Sequence, residues 1–250
     1  MFDHLKKRSA EINYSTLALE IIVVMVGILI AFQIDRWGEE RRERAQEHQY
    51  LLRLKEDLQI EISRMDEVVM YADARLAAVQ LLEELAANPS AAIALPDAVP
   101  EALETATWLS FPQISAFVYT ELQSTGHLAL LRSQSLRRNL ANYYASILQE
   151  SRIGLDLNLQ HLFDRLTAGI LSTAELTQVE EFAGQDKLQD VSASRALEIA
   201  QEFAARQEAV DLLPNIAQHH VFSKKVIESY RSQALVIIEE IESLLDEIEN

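Results

Sequence analysis

The chain has no cysteine, and only six glycines and five prolines among its 250 residues. Without cysteine it can form no disulfide, no cysteine-ligated metal site and no thiol nucleophile. Glycine and proline punctuate turns and interrupt helices, so their scarcity disfavours the turn-rich all-β folds. Hydrophobic residues nevertheless make up 49% of the chain, enough to bury a core. The composition therefore predicts an all-α protein built from long helices.

Positive charge is also scarce, because 22 Lys and Arg face 39 Asp and Glu, for a net charge of −17. Residues 1–44 hold seven of each sign, which leaves 15 basic and 32 acidic residues in the rest of the chain. An acidic field of this kind repels the phosphates of nucleic acids. Nucleic acid is therefore excluded as a direct ligand. The charge indicates either a solvated helical surface or a preference for basic partners.

One long apolar run lies near the amino terminus, where residues 17–34 read LALEIIVVMVGILIAFQI and contain a single charged residue. A helix needs about 20 mostly apolar residues to cross the hydrocarbon core of a bilayer. Residues 17–37 supply that length and are predicted to form a transmembrane anchor with polar residues at both interfaces. The residues that define this predicted anchor are Leu17, Glu20, Gly27, Gln33, Asp35 and Trp37.

A cleaved signal peptide and a buried core helix are the alternative interpretations of this run. The basic residues at 6–8 resemble the start of a signal peptide, but no small-residue cleavage site follows the run. Basic residues are nearly balanced on the two flanks, so the positive-inside rule alone does not decide the orientation. The signal-anchor character of the run favours a cytoplasmic amino terminus and a translocated carboxyl-terminal domain.

Residues 38–250 are predicted to form an acidic helical bundle after a short tail (1–16) and the anchor. The first helix of the bundle is predicted to end at 88–100, a loop that reads NPSAAIALPDAVP. Apolar residues in that helix step by three or four, and two consecutive steps of four around Leu58 indicate a stutter. The predicted apolar stripe consists of Leu51, Leu54, Leu58, Ile62, Met65, Val69, Ala72, Leu76 and Val79.

Later helices are predicted on either side of Phe111-Pro112, from Ser133 to about Leu171, and up to Pro214. The last helix alternates three- and four-residue steps without a slip, so we expect it to lie beside the first long helix. The apolar faces are Leu136, Leu140, Tyr143 and Ile147 in the longer middle helix, and Ile227, Tyr230, Ala234, Ile237, Ile241, Leu244 and Ile248 in the last one.

Two stretches carry a resemblance to a known family. Residues 20–37 read EIIVVMVGILIAFQIDRW, and residues 119–128 read YTELQSTGHL before Leu-Arg and Tyr-Tyr pairs that end at Tyr144. They resemble the E-x6-G-I-L-I-A-x-Q-I-D/N-x-W anchor and the Y-x-E-L-x-S-T-G-x-L…L-R…Y-Y segment of an uncharacterised family of bacterial single-pass membrane proteins, a domain of unknown function. The resemblance implies a single-pass protein of the bacterial inner membrane, and it supplies no activity.

No arrangement of residues typical of a catalytic or metal site is present. None of the six histidines has a carboxylate three residues before it, so the E-x-x-H pair of di-iron bundles is absent. The H-E-x-x-H, G-x-S-x-G, Walker A and G-x-G-x-x-G motifs are absent as well. We therefore expect no enzyme, no cofactor and no physiological metal. The alternatives are opportunistic divalent sites at His161 with Asp164 and at His219-His220.

Two polar segments are candidates for contact with partners. The arginines that follow Trp37 can meet lipid phosphates or pair with neighbouring glutamates. The Ser124-Thr125-Gly126 turn and its polar neighbours form either a docking loop or a helix C-cap. The candidate contact residues are Arg41, Arg42, Arg44, Glu121, Ser124, Thr125, Gly126, His127 and Arg132.

We expect an interaction protein, a membrane-tethered helical bundle that serves as an accessory or scaffolding subunit of a membrane protein complex. Its expected partners are the lipid bilayer and either other membrane protein subunits or a second copy of the chain. The alternative is a ligand-binding or sensory helical domain that signals through a partner. We expect the carboxyl-terminal domain in the periplasm.

Overall fold

The structure, a computed structural model, describes residues 14–108, 112–153, 157–182 and 191–249. Within these ranges the structure describes the backbone but not the side chains of residues 14–21, 149–153, 157, 178, 180–182 and 249. Every regular element in the described ranges is helical, which confirms the predicted all-α class. The α-helices are α1 (Tyr14–Ala87), α2 (Ala98–Thr105), α3 (Phe117–Thr125), α4 (Gln134–Ile153), α5 (Leu157–Thr167), α6 (Thr173–Phe182), α7 (Ala193–Ala204), α8 (Gln207–Val210) and α9 (Leu213–Glu249), with short 3-10 helices at Pro89–Ala94 and His127–Leu130.

The chain forms two compact units, one within residues 1–50 and one from Leu51 to Asn250. The first unit contains the predicted tail and the predicted anchor. Residues 1–13 of the tail and the side chains of Leu17 and Glu20 in the anchor lie outside the described part. Over the residues that are described, no helix carries an apolar stretch long enough to cross a membrane. The anchor therefore stays a prediction.

The buried stripe of α1 in the second unit differs from the predicted one. Glu61 and Val68 are buried, whereas Ile62 and Val69, which were predicted in the stripe, are only half-buried. With Glu61 in place the steps alternate regularly between three and four, so the predicted stutter is wrong. The error arises because a glutamate was assigned to the surface. The stripe from its start to Ala72 consists of Leu51, Leu54, Leu58, Glu61, Met65, Val68 and Ala72.

The last helix, α9, lies antiparallel to this part of α1. Three ion pairs join the two helices, namely Lys55 with Glu242 at 2.7 Å, Asp66 with Arg231 at 2.6 Å and Asp73 with Lys224 at 2.6 Å. From the first pair to the second, α1 advances by 11 residues (55 to 66) while α9 goes back by 11 (242 to 231). The register is therefore constant along the pair, and the predicted neighbourhood of the two helices is confirmed.

Two cores fill the second unit along this helix pair. In the first, α4 packs on α9 and buries Leu136, Leu140, Tyr143 and Ile147, the face that was predicted. In the second, the end of α1 packs with α2, α5, α7, α8 and the start of α9. The apolar face of α9 is buried as predicted up to Ile241, after which Leu245 is buried and Ile248 is exposed.

Three boundaries differ from the predicted ones. The segment 88–100 contains the 3-10 helix Pro89–Ala94 and the first turn of α2. The helix predicted from Ser133 to about Leu171 is described as α4 and α5, on either side of residues 154–156, and it ends at Thr167, before Gly169 in the left-handed region (φ 83°). Pro214 lies in the first turn of α9 and does not end a helix, because proline lacks only an amide hydrogen that the first turn leaves unpaired anyway.

Candidate functional site

The first unit presents an uncovered apolar helix surface. Between residues 22 and 34 of α1, ten large hydrophobic side chains are each between 48% and 62% exposed. They cover the whole circumference of the helix, since no stretch of polar residues interrupts them. Gly27 lies within this surface with no atom near the position of a Cβ, and Gln33, Asp35 and Trp37 at its end are exposed.

The arginines beyond this surface, Arg41, Arg42 and Arg44, are all exposed. The Arg41 guanidinium lies 5.8 Å from the centre of the Trp37 ring, one helical turn away. This distance is within the range of a cation–π contact. The structure thus places an aromatic ring and a positive charge together next to the apolar surface.

The Ser124-Thr125-Gly126 turn is a helix C-cap. Gly126 adopts φ 75°, in the left-handed region that ends many helices. The Ser124 and Thr125 hydroxyls both donate to the Glu121 carbonyl oxygen, at 3.1 and 2.7 Å. The interpretation of this turn as a helix C-cap is therefore confirmed. Contact of the turn with a partner remains a prediction.

Helix α3, which precedes that turn, is tied to α1 at two points. Asp57 accepts a hydrogen bond from the Val118 amide at 3.1 Å and so caps the amino end of α3. Arg53 donates to both carboxylate oxygens of Glu121, at 3.2 and 2.6 Å. Glu121 thus holds α3 in place.

The two remaining candidates lie beyond the turn. His127 begins the 3-10 helix His127–Leu130, and the carbonyl of Arg132 accepts a hydrogen bond from Arg137 at 3.4 Å. The Ser133 hydroxyl accepts from the Leu136 amide at 3.1 Å and caps α4. Of the predicted contact residues in the second unit, the structure joins Glu121 to Ser124 and Thr125 by hydrogen bonds.

A buried cluster of tyrosines around Glu61 was not anticipated from the sequence. The Glu61 carboxylate is fully buried and accepts hydrogen bonds from the hydroxyls of Tyr143 at 2.9 Å and Tyr144 at 3.4 Å. Tyr144 stacks on Tyr119 with ring centres 4.7 Å apart, and Tyr230 meets Tyr143 edge-on at 6.3 Å. We call these residues the tyrosine cluster.

Burial dominates the electrostatics of the tyrosine cluster. It raises the pKa of Glu61 to about 7, while the hydrogen bonds from the two tyrosines act in the opposite direction. Burial and the neighbouring carboxylate also raise the pKa of both Tyr143 and Tyr144. Each polar atom of Glu61 has a donor, so the cluster is a closed and satisfied part of the core.

The second unit contains a cavity of about 680 Å³ between α1, α2 and α6. Small and apolar side chains form most of its wall, and three polar residues join them. We call it the α2 cavity. The wall residues used below are Tyr71, Ala74, Arg75, Ala78, Glu101 and Trp108.

Arg75 is the cation of the α2 cavity. It is half-buried and lies over the Tyr71 ring, with its guanidinium carbon 5.5 Å from the ring centre. It forms no ion pair with any carboxylate of the described residues, and burial lowers the pKa of Arg75. An arginine in this setting has lost part of its hydration without gaining an anionic partner.

The histidine pair lies close to Arg75. The ring Nε2 of His220 is 2.6 Å from the Ala106 carbonyl, and burial lowers the pKa of His220 with a further contribution from Arg75. The neighbouring His219 ring faces that of His220 edge-on at 6.4 Å. Among the residues that the structure describes, no group of three or more His, Asp or Glu side chains is placed to hold a metal ion.

Sequence comparison relates the chain to a family. Residues 20–161 match the family of unknown function DUF6090, a range that contains both of the stretches with a family resemblance. No curated protein and no solved structure shows significant similarity to the chain. The matched range covers more than half of the 250 residues. The chain therefore belongs to DUF6090, a family whose function is not known.

Proposed function

We propose that the protein is a membrane-tethered helical-bundle interaction protein, an accessory subunit of a membrane protein complex. The observation that supports the tether is the uncovered apolar surface at residues 22–34 of α1. A helix that is apolar around its whole circumference is stable only inside a core or a bilayer. No side chain of the first unit covers this surface among the residues described, so lipid is the proposed environment.

Burial of the apolar surface at residues 22–34 would contribute a large free energy. Burying one large hydrophobic side chain contributes roughly 1.5–3 kcal/mol relative to leaving it exposed. For ten side chains that are about half exposed, the total is comparable with the 5–15 kcal/mol that stabilises a whole domain. The sequence extends the run through residues 17–21, which gives the proposed anchor a full span at 17–37.

The end of the proposed anchor also suits an interface. Tryptophan and arginine are enriched where the hydrocarbon core meets the headgroups. Trp37 and Arg41, which lie together one turn apart, are the residues that take this position. We place the protein in the bacterial inner membrane, with its amino terminus in the cytoplasm and residues 38–250 in the periplasm.

The proposed mechanism is tethering. A domain confined to a membrane meets other membrane proteins at a high effective concentration, so modest contacts are sufficient for association. The acidic surface of the second unit disfavours nucleic acid and favours partners with basic surfaces. Other membrane protein subunits or a second copy of the chain are the proposed partners.

The tether is tested by membrane fractionation with matched variants. Val24 in the apolar surface and Val236 on α9 are both 60% exposed. A Lys in the middle of a membrane helix costs about 2.5–3.5 kcal/mol. The pair Val24→Lys with Ile28→Lys is therefore expected to move the protein from the alkali-washed membrane pellet to the supernatant. The control pair Leu235→Lys with Val236→Lys is expected to leave it in the pellet.

Wild-type protein that is released by alkaline washing would overturn the tether. The orientation is tested separately with a reporter fused after Asn250 that is active only in the periplasm. Association is tested by chemical crosslinking in intact membranes, followed by electrophoresis. Crosslinked species that contain the chain together with a second protein or a second copy are expected, and a chain that remains a monomer at all crosslinker concentrations would contradict the interaction function.

A further inference from the structure

The α2 cavity has the dimensions and the wall of a ligand site. Pockets for small molecules typically enclose about 300–1,000 Å³ and are mainly apolar with a few polar groups. The α2 cavity, at about 680 Å³, lies within that range. Alanines at 74, 77, 78, 98 and 102 form much of the wall, so small side chains on α1 and α2 leave this space.

Arg75 indicates the charge of the ligand. Its guanidinium faces a cavity, is half-buried and has no carboxylate partner among the described residues. Arginine presents several donors in a fork that matches a carboxylate, and hydrogen bonds to charged groups are stronger in a site with little water. The vacant partner position of Arg75 therefore suits an anionic headgroup.

We propose that the α2 cavity binds a single-chain amphiphile with a carboxylate headgroup, which pairs with Arg75 while its aliphatic chain lies against the alanines and Trp108. The ligand class is that of a fatty acid. This inference uses residues of the second unit only and does not depend on the proposed tether.

Glu101 is the second charged residue of the wall. Its removal is expected to change the affinity for the ligand in the direction opposite to the removal of Arg75. No ion pair joins Glu101 to Arg75, and both residues contribute to the same wall. A carboxylate ligand is attracted by Arg75 and repelled by Glu101. Removal of each charge should therefore change the affinity in opposite directions, which a purely apolar cavity would not do.

Trp108 supplies the signal for a binding experiment. The chain has two tryptophans, and Trp37→Phe leaves Trp108 in the cavity wall as the only one. The full-length Trp37→Phe protein, in phosphatidylcholine nanodiscs or, if alkaline washing releases it from membranes, in buffer alone, is titrated with decanoate, decanol and decyltrimethylammonium. These probes share a chain and differ in headgroup charge. Empty nanodiscs and free tryptophan correct for partitioning and quenching.

Saturable decanoate binding that shifts Trp108 emission is expected, with at least tenfold weaker binding of the cationic probe. Arg75→Gln is expected to weaken decanoate binding about tenfold and to leave decanol unchanged, because one charge-assisted interaction is lost. Glu101→Gln is expected to tighten decanoate binding. Ala74→Phe, which fills the cavity without changing its charge, is expected to abolish binding of all three probes.

Equal affinities for the anionic and the cationic probe would overturn the proposal, as would an Arg75→Gln protein that folds normally and binds decanoate like the parent. Absence of saturable binding by any probe would also overturn it. If Arg75→Gln does not fold, as judged by its thermal midpoint, the Glu101→Gln and Ala74→Phe variants still decide the outcome. Decanoate binding that survives Ala74→Phe unchanged would show that the ligand lies elsewhere.

Discussion

The tyrosine cluster and the α2 cavity lie at different positions along α1, and each contains one charged residue of that helix in a different environment. In the cluster, Glu61 is fully buried and both of its oxygens accept hydrogen bonds from tyrosines. In the cavity, Arg75 is half-buried over Tyr71 and faces open space. Burial of a charged group by itself therefore does not mark a binding site, whereas a missing partner does.

Side-chain volume explains the difference. Helix α4 brings Tyr143 and Tyr144 to the cluster, and these rings fill the space around Glu61. At the other position, α1 and α2 face each other with alanines such as Ala78 and Ala102. Large rings close the first position, whereas small side chains leave the second one open.

The largest expected effect is a difference in unfolding free energy between two variants, in which one tyrosine of the tyrosine cluster or one of the α2 cavity is replaced. Tyr144 is 1% exposed and stacks on Tyr119, so Tyr144→Ala should lower the free energy of unfolding by about 3–5 kcal/mol. Tyr71 is 43% exposed, so Tyr71→Ala should lower the free energy of unfolding by less than about 1 kcal/mol. Urea unfolding of the two variants in mild detergent measures both values. Equal losses would contradict the distinction between a closed and an open region.

The second prediction concerns the pH dependence of stability in the tyrosine cluster. The pKa of Glu61 is about 7 in the folded chain and 4.5 without burial, so the folded state holds the proton over that interval. Stability from this group is therefore greatest below pH 4.5 and is lost as pH rises to about 7. The full difference corresponds to roughly 3 kcal/mol.

Glu61→Gln removes this titration while keeping the shape of the side chain. Between pH 5 and pH 8, wild-type protein should lose roughly 2–3 kcal/mol more unfolding free energy than the variant. His220 acts in the other direction, because its lowered pKa removes stability as pH falls below 6.5, but it is common to both proteins and cancels. Parallel pH profiles of the two proteins would show that Glu61 does not titrate in this range.

The third prediction addresses the wall of the α2 cavity. Glu175 at the start of α6 accepts from Arg195 of α7 at 2.8 and 3.0 Å, and this hydrogen bonding lowers the pKa of Glu175 to about 2. Glu175→Gln should destabilise the protein by about 1–2 kcal/mol at pH 7. The contribution is present above pH 4.5 and is lost as pH falls towards 2, so the variant and wild type should converge there.

Glu198→Gln is the matched control, since Glu198 pairs with the same arginine at 2.9 Å but is 60% exposed. It should change the unfolding free energy by less than about 0.5 kcal/mol. Both measurements are made by urea unfolding at pH 7 and pH 3. A Glu198 effect as large as that of Glu175 would mean that general charge, and not the bond between α6 and α7, stabilises this wall.

The smallest expected effect lies between the two regions, at the ion pair of Asp66 and Arg231. Both side chains are more than a third exposed, so Arg231→Gln should cost less than about 1 kcal/mol. The loss should shrink further at high salt, because screening weakens exposed pairs. A loss above 2 kcal/mol would indicate that the ion pairs, rather than the apolar stripe, hold α9 against α1.

The sequence allowed the helices and most of their apolar faces to be predicted, because residue spacing alone determines which side chains share a face. The face of α4 and the antiparallel neighbour of α1 were found in this way. Glu61 was missed because a glutamate at a buried position cannot be recognised without its tyrosine partners, which lie about 80 residues away along the chain. Its position three residues after Leu58 was the available signal.

The α2 cavity was beyond prediction for a different reason. A cavity is set by volume that is missing between helices, and α1, α2 and α6 are brought together only by the fold. The Ser124-Thr125-Gly126 turn was intermediate, since its residue types predicted the cap and left a docking role as an alternative. Local chemistry is readable from the sequence, whereas complementarity between distant elements is not.

The constant register between α1 and α9 limits how the gene can change in length. One residue inserted into α1 between Lys55 and Asp66 would turn everything beyond it by about 100° and carry Met65 and Val68 away from the core. A compensating insertion in α9 would have to occur at the same level. Insertions and deletions in relatives of this chain should therefore fall in the connections between helices and spare these two segments.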